Sequence, residues 1–309
     1  MPHVVTLTMN PSVDESTFVD RVVPEHKLRC SHPRYDPGGG GVNVARAMHH
    51  LGGECHALIV EGGVTGGLLS RLLTAEGVPF TAIDIEGNTR INLHVEEQAT
   101  GAQYRFNMPG PVLTEADLRA VLAAIEAHEP APDYFVVSGS LPEDVPDGFC
   151  AQAVAAGNAR GARVVLDTSG PALRRALAEG VFLVKPNQRE LGELLSARVD
   201  TPDAVADAAR ELIRRRWCEA VVVSMAEKGA LLVTAEETYR AVPPPVKALS
   251  KVGAGDSAVG GIMVKLAAGA GLREAVRFGV AAGTAAVMSE GTQLCRLADV
   301  ERLVELIAP

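Results

Sequence analysis

Val252-Gly253-Ala254-Gly255-Asp256-Ser257-Ala258-Val259-Gly260-Gly261 places two glycines and a carboxylate directly ahead of apolar residues at helical spacing, continued by Ile262, Met263 and Leu266. The stripe predicts a helix that opens at the glycines. Gly253 and Gly255 tolerate backbone angles closed to other residues, so consecutive N–H groups can converge on one point where the helix begins. A helix start already attracts anions. Asp256 would repel such an anion, which makes it a poor choice for binding alone and a good one for accepting a proton. An acidic residue in a first turn is also an ordinary cap, and the rest of the chain decides between the two readings.

Short apolar runs recur at Val4 to Leu7, Phe135 to Val137, Val164 to Leu166, Phe182 to Val184 and Val221 to Val223. Helical stripes separate them, among them Val44, Ala47, Met48 and Leu51, then Leu118, Val121, Leu122 and Ile125, then Val205, Ala208, Ala209, Leu212 and Ile213. That alternation predicts an α/β fold, a doubly wound, mostly parallel sheet flanked by helices in a single domain over 1–309. Thr201-Pro202 marks one helix start, and the run Arg214 to Arg216 suits its end. Two stretches break the rhythm, 15–37 and 88–109, where NLHVEE and QYRFNM alternate around a turn at Thr100-Gly101. They predict extra strands outside the main sheet, a small β lid over the ligand end, a dimerisation surface, or both.

In an open parallel sheet, ligands collect beyond the carboxyl ends of the strands. Four of the runs end there in polar turns: Ser138-Gly139-Ser140, Asp167-Thr168-Ser169-Gly170, Lys185-Pro186-Asn187-Gln188-Arg189-Glu190 and Ser224-Met225-Ala226-Glu227-Lys228-Gly229. Four such turns on one rim, together with the glycine cradle, point to a catalytic site for phosphoryl transfer. Gly38-Gly39-Gly40-Gly41 is costly to order and allows close approach of backbone to ligand. Asn43 adds a donor and an acceptor for hydroxyl groups. Asp14, after the first run, either accepts from sugar hydroxyls or caps a turn. The pattern favours a polyol substrate.

Composition narrows the partners. A net charge of −9 with 4% aromatic residues argues against nucleic-acid binding, so an anionic substrate must be held by local charge. The 47% hydrophobic content of 309 residues is enough for a large core. Five scattered cysteines lack paired metal or redox spacing and predict reduced thiols in a cytoplasmic protein. The amino terminus has no secretory pattern, and Phe278 to Met288 is too short to span a bilayer. No glycine precedes a lysine, so the usual P-loop is absent, and neither glycine cluster has dinucleotide spacing. His94, in the presumed lid, is the histidine that stands apart from an otherwise surface-type set.

PGGGGVNVARA (37–47), SGSLP (138–142), KPNQRE (185–190) and VGAGDS (252–257) together resemble the ribokinase-like family of carbohydrate kinases, in order and across essentially the whole chain. AQYRFNMPG, VPPPVK and RFGVAAGTAAV narrow the likeness to its ATP-dependent 6-phosphofructokinase branch. The resemblance implies ATP-dependent phosphorylation of fructose 6-phosphate at the C1 hydroxyl, with Asp256 as general base and the N–H groups of Gly253, Ala254 and Gly255 as anion hole. It carries Asp14, Gly39, Gly40, Asn43 and Ser140 to the sugar, Arg90 and Arg105 to the 6-phosphate, and Lys27 to transferring phosphate, from a partner subunit's flap. Lys185, Asn187, Ser224, Ala226 and Gly229 map to the nucleotide side. Glu190 and Asp167 would serve Mg2+ partly through water. Ser250, Val252, Ala286, Ser289 and Gly291 would offer carbonyls to K+.

The resemblance also implies a homodimer. Tagatose 6-phosphate kinase and 1-phosphofructokinase activity are the neighbouring alternatives, and a catalytically silent sugar or nucleotide sensor is the alternative of another class. Four positions depart from the family pattern: Lys251 for threonine, Ala226 for glycine, Ala248 for serine and Gln293 for arginine. They bear on nucleotide affinity and cation dependence.

Overall fold

The computed structural model describes residues 2–308. In chain order the elements are β1 (Val4–Thr8), β2 (Ser12–Val19), β3 (Arg34–Gly38), α1 (Gly40–His50), β4 (His56–Glu61), α2 (Gly63–Glu76), β5 (Phe80–Asp84), β6 (Arg90–Glu97), β7 (Ala102–Phe106), α3 (Glu115–Ala127), β8 (Tyr134–Ser138) and α4 (Gly148–Ala159). There follow β9 (Arg163–Asp167), α5 (Gly170–Leu177), β10 (Val181–Val184), α6 (Gln188–Leu195), α7 (Pro202–Arg214), β11 (Cys218–Ser224), β12 (Ala230–Val233), β13 (Thr238–Ala241), α8 (Ala254–Ala267), α9 (Leu272–Val287) and α10 (Leu297–Leu306).

A nine-stranded sheet runs in the order β13-β12-β11-β10-β9-β8-β1-β4-β5. From β11 to β5 every pairing is parallel, and β12 and β13 close one edge antiparallel. The parallel strands are apolar without alternation because both faces are covered. Val5, Leu7, Phe135 and Val137 pack on one side with α3 to α7, whereas Val4 and Val136 join α1, α2 and α8 to α10 on the other. This is the doubly wound arrangement that the apolar rhythm predicts. Starting from β1, the chain builds outward through β4 and β5, then resumes on the opposite side at β8. The switch point therefore falls between β1 and β8, where a crevice opens at the strand ends.

Local signals set the helix boundaries. Thr201 caps α7, its side chain accepting from the Ala204 N–H at 3.2 Å, with Pro202 in the first turn. The small apolar segment Phe278 to Met288 lies largely within α9, and no helix among the described residues is long and apolar enough to cross a membrane. All five cysteines are free thiols, only Cys30 being exposed.

Four strands form a second sheet, β3-β2-β6-β7. Its first strand starts at Ser12, before the stretch that breaks the sequence rhythm, and 20–33 contribute no strand. Register sets Ser16 across from both Arg34 and His94, and His94 across from Arg105. By alternation the face that carries Asp14 also carries Asn92, His94, Arg90 and Arg105. The opposite face leaves Tyr35 and Phe106 exposed, at 39% and 48%.

Candidate active site

Gly253 caps α8 in the left-handed conformation, φ 70°, which favours glycine, and a β-carbon there would come within 2.4 Å of Leu294 Cδ2. The helix that follows leaves the N–H groups of Ala254, Gly255 and Asp256 with no preceding carbonyl to bond. Asp256 stands in this first turn, half-buried. Asn43 Nδ2 donates to Asp256 Oδ2 at 2.9 Å, joining the glycine run of α1 to the cradle of α8.

Lys185, at the end of β10, pairs with Asp167, at the end of β9, at 3.0 Å. Desolvation pushes the Asp256 carboxyl up to about 7, reinforced by the Asp167 charge and opposed by the Asn43 hydrogen bond and by Lys185. Burial would lower the Lys185 ammonium, yet Asp167, Asp256 and Glu190 outweigh it and hold its pKa above the ordinary value. The arrangement suits a base that is half ionised near neutral pH, beside a fixed cation and open N–H donors.

On the sugar side, Asp14 Oδ1 accepts from Ser12 Oγ at 2.7 Å and Asn92 Nδ2 at 2.9 Å, which leaves Oδ2 to a ligand. Gly38 provides the room, since a β-carbon there would lie 2.4 Å from that oxygen. Gly39 starts α1 at φ 107°, and Gly40 packs so tightly on Gly139 that a β-carbon would meet its nitrogen at 2.5 Å. Exposed Ser140 accepts from Asn10 Nδ2 at 3.4 Å.

Arg90 spends three donors on carbonyls: Asn10 at 2.8 Å, Met108 at 3.3 Å and Pro11 at 3.4 Å. Two of its five N–H groups remain. Arg105 is exposed and donates to Gln103 Oε1 at 3.2 Å. His94 is kept below its ordinary pKa by burial, against the opposing pull of Asp14, with Arg105 lowering it further. Lys27 is not gathered to this site within one chain. It is exposed in the β2–β3 loop, grouped with Asp20, Arg21 and Ala99 at the end of β2 remote from Ser12.

The nucleotide-side residues meet along β10 and β11. Asn187 bridges to Ser224, whose N–H donates to the Pro186 carbonyl at 3.0 Å. Asn187 and Glu190 form a reciprocal cap on α6: Glu190 N–H donates to Asn187 Oδ1 and Asn187 N–H to Glu190 Oε2, both at 2.9 Å. This cap accounts locally for an asparagine followed three residues later by a glutamate and leaves Glu190 Oε1 for a hydrated metal. Ala226 takes φ 53°, and Gly229 turns back under the Ala241 carbonyl where no side chain fits.

The loops that hold the five K+ candidates touch. Ser250 Oγ donates to the Gly291 carbonyl at 2.6 Å, Ser250 N–H reaches the Val287 carbonyl at 3.2 Å, and Ser289 N–H donates to that of Ala286 at 3.0 Å. Lys251 is exposed. The residues that sequence reading passed over are those that hold the others in place: Ser12 and Asn92 on Asp14, Asn10 beside Ser140, and Arg46 beneath Asn43. Asn92 and Asn10 have partners 78 and 130 residues away, whereas Ser12 lies two residues from Asp14 and Arg46 three from Asn43, spacings that in sequence carry no mark of a polar contact.

Known proteins share both the sequence and this geometry. The profile of the pfkB family carbohydrate kinases matches residues 7–299. The chain is 46% identical to the ATP-dependent 6-phosphofructokinase isozyme 2 of Escherichia coli (strain K12), covering 98% of each. It is 35% identical to the 1-phosphofructokinase of Bacillus subtilis (strain 168), covering 93% of each. Among solved structures, E. coli phosphofructokinase-2 with potassium superposes at TM-score 0.95, 45% identity and 99% coverage of both chains. The same enzyme with fructose-6-phosphate superposes at 0.93, with 44% identity and 99% coverage of both. Its tetrameric inhibited form gives 0.93 at 45% identity and the same coverage. With the profile spanning nearly the whole chain, and the glycine cradle, its carboxylate and the rim residues on one crevice, this protein belongs to the pfkB family of carbohydrate kinases.

Proposed function

We propose that this chain transfers the γ-phosphoryl group of ATP to the C1 hydroxyl of fructose 6-phosphate, giving fructose 1,6-bisphosphate and ADP. The observation that carries the reading is Asp256 itself, a carboxylate raised to about 7 and fixed at the open start of α8. Asp256 takes the hydroxyl proton as O1 bonds to the γ-phosphorus, and the bond from phosphorus to the β–γ bridging oxygen breaks toward ADP. The N–H groups of Gly253, Ala254 and Gly255 face the charge that spreads over the transferred group, which is the main demand of phosphoryl transfer. Asp14, Gly39, Gly40, Asn43 and Ser140 orient the sugar, and Arg90 and Arg105 hold its 6-phosphate.

Lys185, Asn187, Ser224, Ala226 and Gly229 line the nucleotide's path. Glu190, with Asp167, fits a magnesium ion held through water, a suitable style for a cation that keeps much of its hydration and leans on substrate phosphates. Bound there, the ion would neutralise phosphate charge. The potassium complex of the E. coli relative supports a monovalent cation at Ser250, Val252, Ala286, Ser289 and Gly291. The exposed face of the lid, with Tyr35 and Phe106, supports pairing of two copies, which would bring Lys27 to a partner's site. Four buried free thiols suit a reducing, cytoplasmic setting.

The relative named 1-phosphofructokinase supports a second reading, phosphorylation of fructose 1-phosphate. ATP-dependent turnover on fructose 6-phosphate, fructose 1-phosphate and tagatose 6-phosphate separates these. Dominant use of either latter sugar would replace the first assignment, and no turnover on any would make the chain a sensor.

A further inference from the structure

Arg46 is 1% exposed and heads the largest fully buried side chains of the molecule. A guanidinium is costly to bury, so its bonds must explain its presence. Nε and Nη2 form a fork on Glu76, each at 2.7 Å, and Nη1 donates to the Pro37 carbonyl at 2.7 Å and to Asn43 Oδ1 at 3.2 Å. Asn43 then donates through Nδ2 to Asp256 Oδ2. Arginine has only donors, so the amide oxygen must face Arg46 and the amide nitrogen must face Asp256. A flipped amide would set N–H against N–H on one side and oxygen against carboxylate on the other.

We propose that Arg46 is a positioning residue of this active site: by orienting the Asn43 amide it commits Asp256 Oδ2 to a hydrogen bond and leaves Oδ1 to take the substrate proton. The inference rests on the reading of Asp256 as base. Helical spacing puts Asn43 and Arg46 on one face of α1, and Glu76, the last residue of α2, holds the guanidinium from behind. Asp36 approaches Arg46 Nη2 at 3.9 Å, a second carboxylate beside the guanidinium, and His50 approaches Glu76 at 3.8 Å. Asp36 also accepts from Arg34 at 2.7 Å and from Thr292 at 2.5 Å, which ties the same cluster to the lid. A pair that only fastened α1 to α2 would need the fork alone. The fourth N–H bond, to Asn43, carries the proposed role.

A double-mutant cycle tests it. Arg46→Lys keeps the charge but cannot reach Glu76, Pro37 and Asn43 together, and Asn43→Ala removes the relay. Each single variant should lower kcat on fructose 6-phosphate by about 10- to 100-fold, with the KM for ATP nearly unchanged. The two together should cost no more than the worse single change, because both act through one amide. Multiplied losses, or a Lys variant with wild-type kcat, would overturn the proposal. If Arg46→Lys does not fold, Glu76→Gln takes its place, and its smaller loss should vanish in the Asn43→Ala background. A wild type that turns over none of the sugar phosphates would refute the assigned reaction instead. A neutron crystal structure, which distinguishes amide nitrogen from oxygen, then decides the positioning: Asn43 Oδ1 on Arg46 and Nδ2 on Asp256 support it, and either group turned away overturns it.

Discussion

Gly260 of α8 lies so close to Ala47 of α1 that a β-carbon on the glycine would come within 2.7 Å of the alanine Cβ and 3.1 Å of the Val44 carbonyl oxygen. One turn earlier in each helix stand Asp256 and Asn43, hydrogen-bonded at 2.9 Å. The close crossing thus sets the spacing of the groups assigned to proton transfer. Gly260→Ala should destabilise the fold by about 1–3 kcal/mol through overpacking, measured by urea denaturation. It should also lower kcat by roughly 10-fold or more, because the strain is relieved by separating the helices at the site. Reduced stability with unchanged kcat would show that the crossing and the base are uncoupled.

The pH dependence of Asp256 has a definite sign. With its pKa raised to about 7, the carboxylate is ionised, and able to accept a proton, only above that pH. The kcat/KM for the sugar should therefore climb as pH rises through about 7 and then level off. Asp256→Asn should remove that limb and cost about 10²- to 10⁴-fold in kcat. Stability should move the opposite way. The folded protein retains this proton where the unfolded chain releases it, so the group erodes stability as pH rises from the ordinary carboxylate range through about 7. At pH 8 the Asn variant should be the more stable protein by denaturant midpoint and the less active one, whereas a less stable variant would contradict the burial of charge that raises this pKa.

Much of this was legible in the chain, and the exceptions have physical causes. The seven-strand parallel core announces itself where strands are buried on both faces, as in Phe135 to Val137, and less so at the edge strand β5, where Ile83 is buried but Thr81 and Asp84 are exposed. β12 and β13 are four residues each, too short to show a period. The rim residues stand out because each follows an apolar run. Arg46 does not, since an arginine inside NVARA reads as the wet side of an amphipathic helix until Glu76, thirty residues later, is placed against it. Asn187 and Glu190 show the converse: the family resemblance assigns them to nucleotide and magnesium, and the local geometry also satisfies them as a helix cap.

Ala226 holds φ at 53° in the loop assigned to the nucleotide. An L-residue in that region carries about 1–2 kcal/mol of strain, while glycine costs about 0.4–1 kcal/mol through the added freedom of its unfolded chain. The first effect is the larger, so Ala226→Gly should raise stability by up to about 1 kcal/mol and increase Tm slightly. A lowered Tm would mean that the loop relaxes the strain in solution. Nucleotide affinity, followed as KM for ATP, should change little, because the exposed methyl group makes no polar contact with the loop.

At the opposite end of the sheet from the site, three histidines crowd together. His3 Nε2 lies 2.9 Å from His128 Nε2 with the rings stacked, and the His56 ring centroid is 4.8 Å from that of His128. Burial holds His56 and His128 below the ordinary imidazole pKa, each lowered further by neighbouring histidines; Arg160 also lowers His128, and Glu129 opposes it. A histidine depressed in the folded state lets the unfolded chain take the proton first as pH drops. The stability from these groups is therefore complete above the unfolded value of about 6.5 and erodes as pH falls below it. Asp256 contributes with the opposite sign, so the test is a difference between proteins. Between pH 7.5 and 5.5 the urea midpoint of wild type should fall relative to that of His128→Gln, which cannot charge yet can still bond His3. Parallel midpoints across that range would mean that the cluster relaxes apart without cost, and the acid sensitivity would have to arise elsewhere.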